Sequence, residues 1–310
     1  MKKKILVVSS ANMDMVLGVE RVPNAGETVI DNGKYSYIPG GKGANSALAF
    51  ARLGADCTFV TKVGADTNGE ELVALYKKEG INTSYLKKSE DDKTGLATIF
   101  VEESGQNRII VFPGANQKID ASQIDEAIEN EKPDALYLQF EINYDAILHA
   151  SQRAYENNIP VFVDAGAVSS SFPFEKLPPL EVFSPNESEA FTICGIIPSD
   201  EKKCLEASLA ISKLVRAKYI VIKLGGRGAY IYDGQNGVTI PTFPIKVVDT
   251  TAAGDAFTAS LTLSYLESGD IYKACIFGHA TGTLTVSKKG ASSSIPSINE
   301  VVDFLERTSK

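Results

Sequence analysis

Ala135-Leu136-Tyr137-Leu138-Gln139, then the amphipathic run Asp145–Asn157, then Val161-Phe162-Val163-Asp164, form the stretch that decides the fold. A short, continuous apolar run reads as a strand buried on both faces, and a helical run between two such strands reads as the crossover joining parallel neighbours. The rhythm continues on both sides. Further strands are expected at Ile5–Ser9, Thr58–Val63, Val182–Ser184 and Tyr219–Leu224. Helices are expected at Ala44–Leu53, Gly69–Glu79, Ser122–Asn130, Glu187–Cys194 and Cys204–Ala217, then at Ala253–Glu267, Tyr272–Ser287 and Asn299–Arg307. In Cys204–Ala217 the expected buried face is Leu205, Leu209, Ile211 and Leu214, which recur at helical spacing. The fold class is α/β: a layered core with a largely parallel central sheet flanked by helices.

Two stretches break the rhythm. Met15–Ile38 and Thr94–Pro113 carry no helical period and read as hairpin material, the second turning at Glu102-Glu103-Ser104-Gly105. They are expected to form a small β-sheet excursion, inserted at about 13–39 and 94–114, over one edge of a single domain spanning 1–310.

Composition narrows the partners. The chain has 310 residues, 44% of them hydrophobic and 23% charged, with a formal charge of −8. An acidic balance argues against a nucleic-acid or anionic-membrane surface. The uncharged run Ala274–Ser287 is too short to cross a bilayer, which takes about 20 residues. Two histidines leave no room for a multi-histidine metal centre. Cys57, Cys194, Cys204 and Cys275 form no Cys-x-x-Cys pair and sit among apolar neighbours, so buried reduced thiols are expected. The apolar stretch Ile5–Val8 is shorter than a signal-peptide core, so it reads as a first strand, and the expected location is cytoplasmic.

Four motifs carry chemistry. Gly40-Gly41-Lys42-Gly43-Ala44-Asn45 opens a helix, where glycines let a ligand approach bare amides. No Ser or Thr follows Lys42, so it is not a Walker A loop, and it fails the dinucleotide fingerprint, which argues against a dehydrogenase. A plain glycine-rich turn is the alternative. Asp249-Thr250-Thr251-Ala252-Ala253-Gly254-Asp255 enters another helix, and its small residues leave amides exposed at a positive helix end. Asp255 there is either a capping carboxylate or a general base that deprotonates a hydroxyl attacking a phosphoryl group. Ser184-Pro185-Asn186-Glu187-Ser188-Glu189 ends a strand and starts a helix. Asn186 and Glu189 there form either a capping box or a hold on a hydrated Mg²⁺ and nucleotide phosphates. Lys223-Leu224-Gly225-Gly226-Arg227-Gly228 follows a strand and is either a ligand-facing glycine loop or a hairpin turn. Asn12, Asp14 and Glu141 stand at strand C-terminal ends, where turn roles compete with site roles, and His279 lies on an apolar helix.

In order and spacing, these motifs resemble the ribokinase-like (PfkB) carbohydrate kinase family over almost the whole chain, from Ser10 to Ala291. The resemblance implies an ATP-dependent sugar kinase, with the subgroup acting on the 5-hydroxyl of D-ribose matched best; a nucleoside or ketose acceptor, or a silent sugar-binding regulatory dimer, are the alternatives. It implies that Asn12, Met13, Asp14, Gly41, Lys42, Gly43, Ala44, Asn45 and Glu141 hold the sugar, and that Asp255 is the base. Ala252, Ala253 and Gly254 match an anion hole for the transferring phosphoryl group. Asn186, Lys223, Leu224, Gly225, Gly226, Arg227, Gly228, Gly254, Asp255 and His279 match ATP positions, and Glu189 matches an Mg²⁺-water contact. Asp249, Thr251, Thr285, Lys288, Gly290 and Ser294 match a monovalent-cation site favouring K⁺. The excursion matches a β-sheet lid that also forms a homodimer interface. Two positions depart from the usual pattern: Asp164-Ala165-Gly166 replaces Asn-Pro-Ala, and Lys223 stands where a small hydroxyl residue is common.

Overall fold

The computed structural model describes residues 2–104 and 106–308, so Gly105 of the expected turn lies outside the described residues. In chain order the elements are Lys4–Val8 (β1), Asn12–Val19 (β2), Tyr35–Gly40 (β3), Lys42–Arg52 (α1), Asp56–Val60 (β4), Lys62–Gly64 (β5), Thr67–Lys78 (α2) and Lys87–Ser89 (β6). Gly95–Glu102 (β7), Asn107–Phe112 (β8), Ala121–Glu131 (α3), Ala135–Leu138 (β9), Tyr144–Glu156 (α4), Val161–Asp164 (β10), Leu180–Ser184 (β11) and Glu187–Cys194 (α5) follow. Glu201–Ser212 (α6), Ala217–Lys223 (β12), Ala229–Tyr232 (β13), Gly237–Ile240 (β14), Ala253–Ser268 (α7), Ile271–Val286 (α8) and Ile298–Thr308 (α9) complete the chain.

The central sheet runs β14-β13-β12-β11-β10-β9-β1-β4, parallel from β12 to β4 and antiparallel at its β13–β14 edge. Successive side chains of a strand point to opposite faces. In β1, Ile5 and Val7 enter one core, packed with α1, α7 and α8, while Leu6 and Val8 enter the other with α3 and α4. Both faces are covered, which is why these strands read as unbroken apolar runs. A second sheet, ordered β3-β2-β7-β8, is built from the two stretches that lack helical period. No helix among the described residues is long and apolar enough to cross a membrane.

Three local expectations are corrected. Thr58–Val63 is two strands, because Thr61 separates β4, in the main sheet, from β5, which pairs with β6. The helix expected to reach Ala217 ends at Ser212, since Ala217 already pairs with Leu180 as the start of β12. Of its expected buried face only Ile211 is covered: Leu205 and Leu209 are exposed, as is Leu214 beyond the helix end, while Cys204, Ala207 and Ser208 take the other buried positions. Small residues let the helix lie close to β12 and β13, so the leucines, about one position round the helix, face outward. Cys57, Cys204 and Cys275 are buried, Cys194 is half-buried, and all four are free thiols.

Candidate active site

A cleft of about 1100 Å³ opens at the C-terminal ends of the parallel strands, the end at which open α/β sheets hold ligands. One wall comes from the second sheet, through Asp14, Ala97, Ile99, Ile109 and Val111. The floor comes from the N-termini of α1, α5 and α7.

The glycine loop seats α1 against the turn after β1. Gly41 caps that helix at φ +90°, a conformation that L side chains rarely adopt, and a Cβ there would lie 2.8 Å from the Asn12 amide nitrogen. A Cβ on Gly43 would lie 2.4 Å from Ser9 Cβ. This close approach lets the Ala44 amide donate to the Ser10 carbonyl at 2.9 Å. Glu141 Oε2 then accepts from the Ser10 hydroxyl at 2.6 Å and from the Lys42 amide at 3.1 Å, so the first-turn amides of α1 are taken by protein acceptors and are not the bare amides expected of this loop. Asn12 is fixed by the buried Asn116, whose Nδ2 donates to Asn12 Oδ1 at 2.7 Å. Asp14 faces the cleft, and burial, reinforced by Glu141 and opposed by Lys42, pushes its carboxyl up to about 7. Met13 and Ala44 are buried in the core.

Asp255, in the first turn of α7, is buried, with Asn45 Nδ2 donating to Oδ2 at 2.9 Å and Gln139 Nε2 donating to Oδ1 at 3.2 Å. Burial raises its carboxyl to about 6; the nearby Lys42 opposes that rise and Asp164 adds to it. Asn45 Oδ1 is buried without a partner among the described residues, an acceptor free to take a ligand hydroxyl. Ala252, the N-cap of α7, sits at φ +63°, a left-handed turn that reverses the chain ahead of the helix. The Gly254 and Asp255 amides beyond it take no acceptor among the described residues, as the first turn of a helix dictates. A buried carboxylate beside free amides at a helix N-terminus suits removal of a proton from a hydroxyl next to a centre where anionic charge grows.

The rest of the cleft, which holds the residues expected to take the nucleotide, lies beyond α7. Asn186 and Glu189 form a reciprocal capping box, with Asn186 Oδ1 accepting from the Glu189 amide at 2.9 Å and Glu189 Oε2 accepting from the Asn186 amide at 2.7 Å. Both readings of this motif therefore meet in one place, because the capped helix start also lines the cleft. Burial raises the Glu189 carboxyl, with Lys223 opposing. The loop after β12 is likewise both a hairpin turn into β13 and a lining of the cleft, through Lys223, Gly225, Gly226 and Gly228. A Cβ on Gly226 would meet nothing within 4 Å, so the protein's own packing leaves that backbone bare toward the cavity. His279 lines the cleft, hydrogen-bonded at Nε2 to the Ile240 carbonyl at 3.1 Å; burial pushes its pKa down to about 4, so it is neutral near pH 7. Leu224 is buried in the core, and the Arg227 guanidinium turns away to Glu187 and the Ser199 and Pro198 carbonyls.

These groups suit ATP: bare glycine backbone, a helix N-terminus and two lysines, Lys42 and Lys223, face one cavity. No cluster of three or more His, Cys, Asp or Glu able to hold a metal ion exists among the described residues. A hydrated Mg²⁺ does not need one, since it is held by one or two carboxylates together with water and substrate phosphate, and Glu189 is a carboxylate lining the cleft. Among the residues expected to hold a monovalent cation, Asp249 gathers three donors. Its Oδ1 accepts from the Thr251 amide and hydroxyl at 3.0 and 2.7 Å, and its Oδ2 accepts from the Gly290 amide at 3.0 Å. The Thr285 carbonyl lies nearby, accepting from the Lys288 amide at 3.3 Å. The Lys288 ammonium points out to Glu300, the Thr285 hydroxyl is used within its own helix, and Ser294 Oγ bonds Ala291.

Three contributors escaped sequence reasoning as site residues, Ser10, Asn116 and Gln139, and a fourth, Asp164, stood out only as a departure from the family's usual pattern. Gln139 and Asp164 carried a usable signal, a polar residue closing an otherwise apolar strand at the ligand-binding end. Asn116 carried none, because it reaches Asn12 across 104 residues.

A model of the family described as pfkB family carbohydrate kinase matches residues 2–298. A bifunctional ribokinase/ribose-5-phosphate isomerase A of Fructilactobacillus sanfranciscensis is 37% identical over 98% of this chain, and the chain spans 56% of that relative's length. A ribokinase of Haemophilus influenzae is 32% identical, with 99% of each chain covered. A solved structure of Arabidopsis thaliana ribokinase complexed with ribose and ATP matches with a TM-score of 0.89 at 29% identity, covering 99% of both chains.

Proposed function

The chain belongs to the pfkB family of carbohydrate kinases, and on that premise we propose that its cleft transfers the γ-phosphoryl group of ATP to the 5-hydroxyl of D-ribose. The observation that carries this reading is Asp255, a buried carboxylate with a raised pKa, beside the free amides of α7 and the orphaned Asn45 Oδ1. Phosphoryl transfer asks a protein for positioning and charge stabilisation rather than covalent help.

In this reading Asn12, Asp14, Asn45 and Glu141 take the sugar hydroxyls. Asn12, Asn45 and Glu141 are already fixed by hydrogen bonds, and a site built from such groups rejects acceptors that leave them unpaired. Asp255 accepts the proton of the attacking primary hydroxyl. The amides of Gly254 and Asp255, turned toward the cleft by the left-handed Ala252, stabilise the charge on the transferring group, and removing one such donor typically costs about 3–4 kcal/mol. Asn186, Lys223 and the glycine loop to Gly228 hold the nucleotide, while Glu189 is the residue that would hold Mg²⁺ through its waters. When bound, Mg²⁺ neutralises charge on the phosphate chain. The sheet β3-β2-β7-β8 acts as the lid, and Ile99, Ile109 and Val111 on its inner face keep competing water from the acceptor. The set around Asp249 holds K⁺.

Ribose-dependent release of ADP, measured by a coupled assay over a panel of acceptors, tests the assignment. D-Ribose is expected to be the best acceptor; a nucleoside such as adenosine or pseudouridine exceeding it by about tenfold in kcat/KM, a difference near 1.4 kcal/mol, would overturn it.

A further inference from the structure

The two departures from the family's usual residues meet each other. The Lys223 ammonium, at the end of β12, pairs with the Asp164 carboxylate, at the end of β10. Asp164 is 2% exposed, and it also accepts from the Thr258 hydroxyl and, at 2.9 Å, from the Gly166 amide. Lys223 lies above it and faces the cleft. Its Nζ is 3.7 Å from where a Cβ on Gly254 would stand, beside the free amides of α7. Its charge acts on both Glu189 and Asp255, which puts it between the proposed Mg²⁺ side and the proposed base.

Stability alone does not account for such a pair. Replacing a buried ion pair by apolar residues is commonly neutral or stabilising, so a pair at the floor of a ligand cavity calls for another reason. An ammonium has three donors. Among the described residues Lys223 Nζ uses one on Asp164 and a long one, 3.4 Å, on Thr258 Oγ1, leaving a donor for an anion in the cavity. Asp164 keeps two other donors if the lysine turns toward a ligand.

We propose that Lys223 binds the terminal phosphates of the nucleotide and that Asp164 is its positioning residue, which makes the pair the element that distinguishes a di- or triphosphate from a monophosphate. This rests on the cleft being the nucleotide site. In an empty cleft the ammonium is held by Asp164; with a polyphosphate bound, it is shared with the terminal phosphate oxygens, while Thr258 and the Gly166 amide keep the carboxylate satisfied.

Calorimetric titration with AMP, ADP and a β,γ-imido ATP analogue, each with Mg²⁺, tests this on the wild type, Lys223→Met, Lys223→Arg, Asp164→Asn and the double variant Asp164→Asn/Lys223→Met. Loss of one charge-assisted contact predicts about 10- to 100-fold weaker binding of ADP and the analogue to Lys223→Met, with AMP affinity unchanged. Lys223→Arg should recover most of that loss. Asp164→Asn should weaken the analogue less than Lys223→Met does. The double variant, which leaves no unpaired buried charge and so guards against misfolding of the single one, should match Lys223→Met rather than add to it. Equal weakening of AMP and the analogue, or no change in either, would overturn the assignment while leaving the nucleotide site in place. A wild type that binds none of the three would overturn the nucleotide site itself, and this assignment with it.

Discussion

Asn45 Nδ2 donates to Asp255 Oδ2 at 2.9 Å, joining the first turn of α1 to the first turn of α7 across 210 residues. That contact ties the helix opened by the glycine loop to the proposed base, and leaves Asn45 Oδ1 as an acceptor without a partner among the described residues. The consequences are testable.

Asp255→Asn keeps the size of the side chain and its contact region but removes the base. Turnover is expected to fall by about a hundred- to ten-thousand-fold, with ribose affinity changed little. Steady-state kinetics together with ribose titration of the variant separate the two, and unchanged turnover would remove Asp255 from that role.

Two carboxyls in the cleft titrate near neutrality, Asp14 at about 7 and Asp255 at about 6, each raised first by burial. If both act in their ionised forms, as the proposed roles require, kcat/KM for the sugar should rise with pH through this window and fall below it with a logarithmic slope greater than one. Asn45→Leu deletes a hydrogen bond that favours the ionised Asp255, and should move the lower limb upward. A pH–rate profile flat between 5 and 8 would contradict both assignments.

Ala252 adopts φ +63°, where a left-handed backbone costs a non-glycine residue roughly 1–2 kcal/mol. Ala252→Gly relieves that cost but loosens the unfolded chain, so stability should change by less than about 1 kcal/mol. Ala252→Val adds a branched side chain to the same backbone and should destabilise by about 1–3 kcal/mol. Urea midpoints of the two variants supply the comparison; equal midpoints would remove the strain argument.

Activity should rise with K⁺ over Na⁺ if the groups gathered by Asp249 hold a monovalent cation. Asp249→Ala removes the acceptor that ties Thr251 to Gly290 and should abolish the preference. Rates measured in matched chloride salts decide; an enzyme indifferent to the cation would sink that assignment.

Part of the outer face of the second sheet is apolar and exposed among the described residues. Strand pairing places Asp14 opposite Ala97 on the cleft side, which sends Tyr35, Tyr37, Ile110 and Phe112 outward, all more than half exposed. The lid is therefore expected to dock on that of a second copy, and Ile110→Glu should yield a monomer with a raised sugar KM. Sedimentation velocity reads the first effect, and a wild type already monomeric at micromolar concentration would refute it.

Much of this molecule is written locally. The apolar runs at Val161–Asp164 and Ala135–Leu138 mark strands covered on both sides, and Asn186 with Glu189 marks a helix start, because burial period and capping chemistry act within a few residues. The glycine loop at 40–43 and the small residues at 252–254 likewise announce helix ends, but only at 252–254 do amides stay free; the glycines at 41 and 43 serve close packing against the turn after β1. Tertiary structure decided the rest. Which face of α6 is buried depended on how near its small residues let it approach the sheet, which periodicity does not encode. The Asn116–Asn12, Asn45–Asp255 and Lys223–Asp164 contacts span 104, 210 and 59 residues. Hydrogen bonds and charges are short-ranged in space, and only the order of strands in the sheet brings such distant positions within reach. The sequence by itself determined the elements and the residue types fit for phosphoryl transfer; the folded chain alone determined which of them touch.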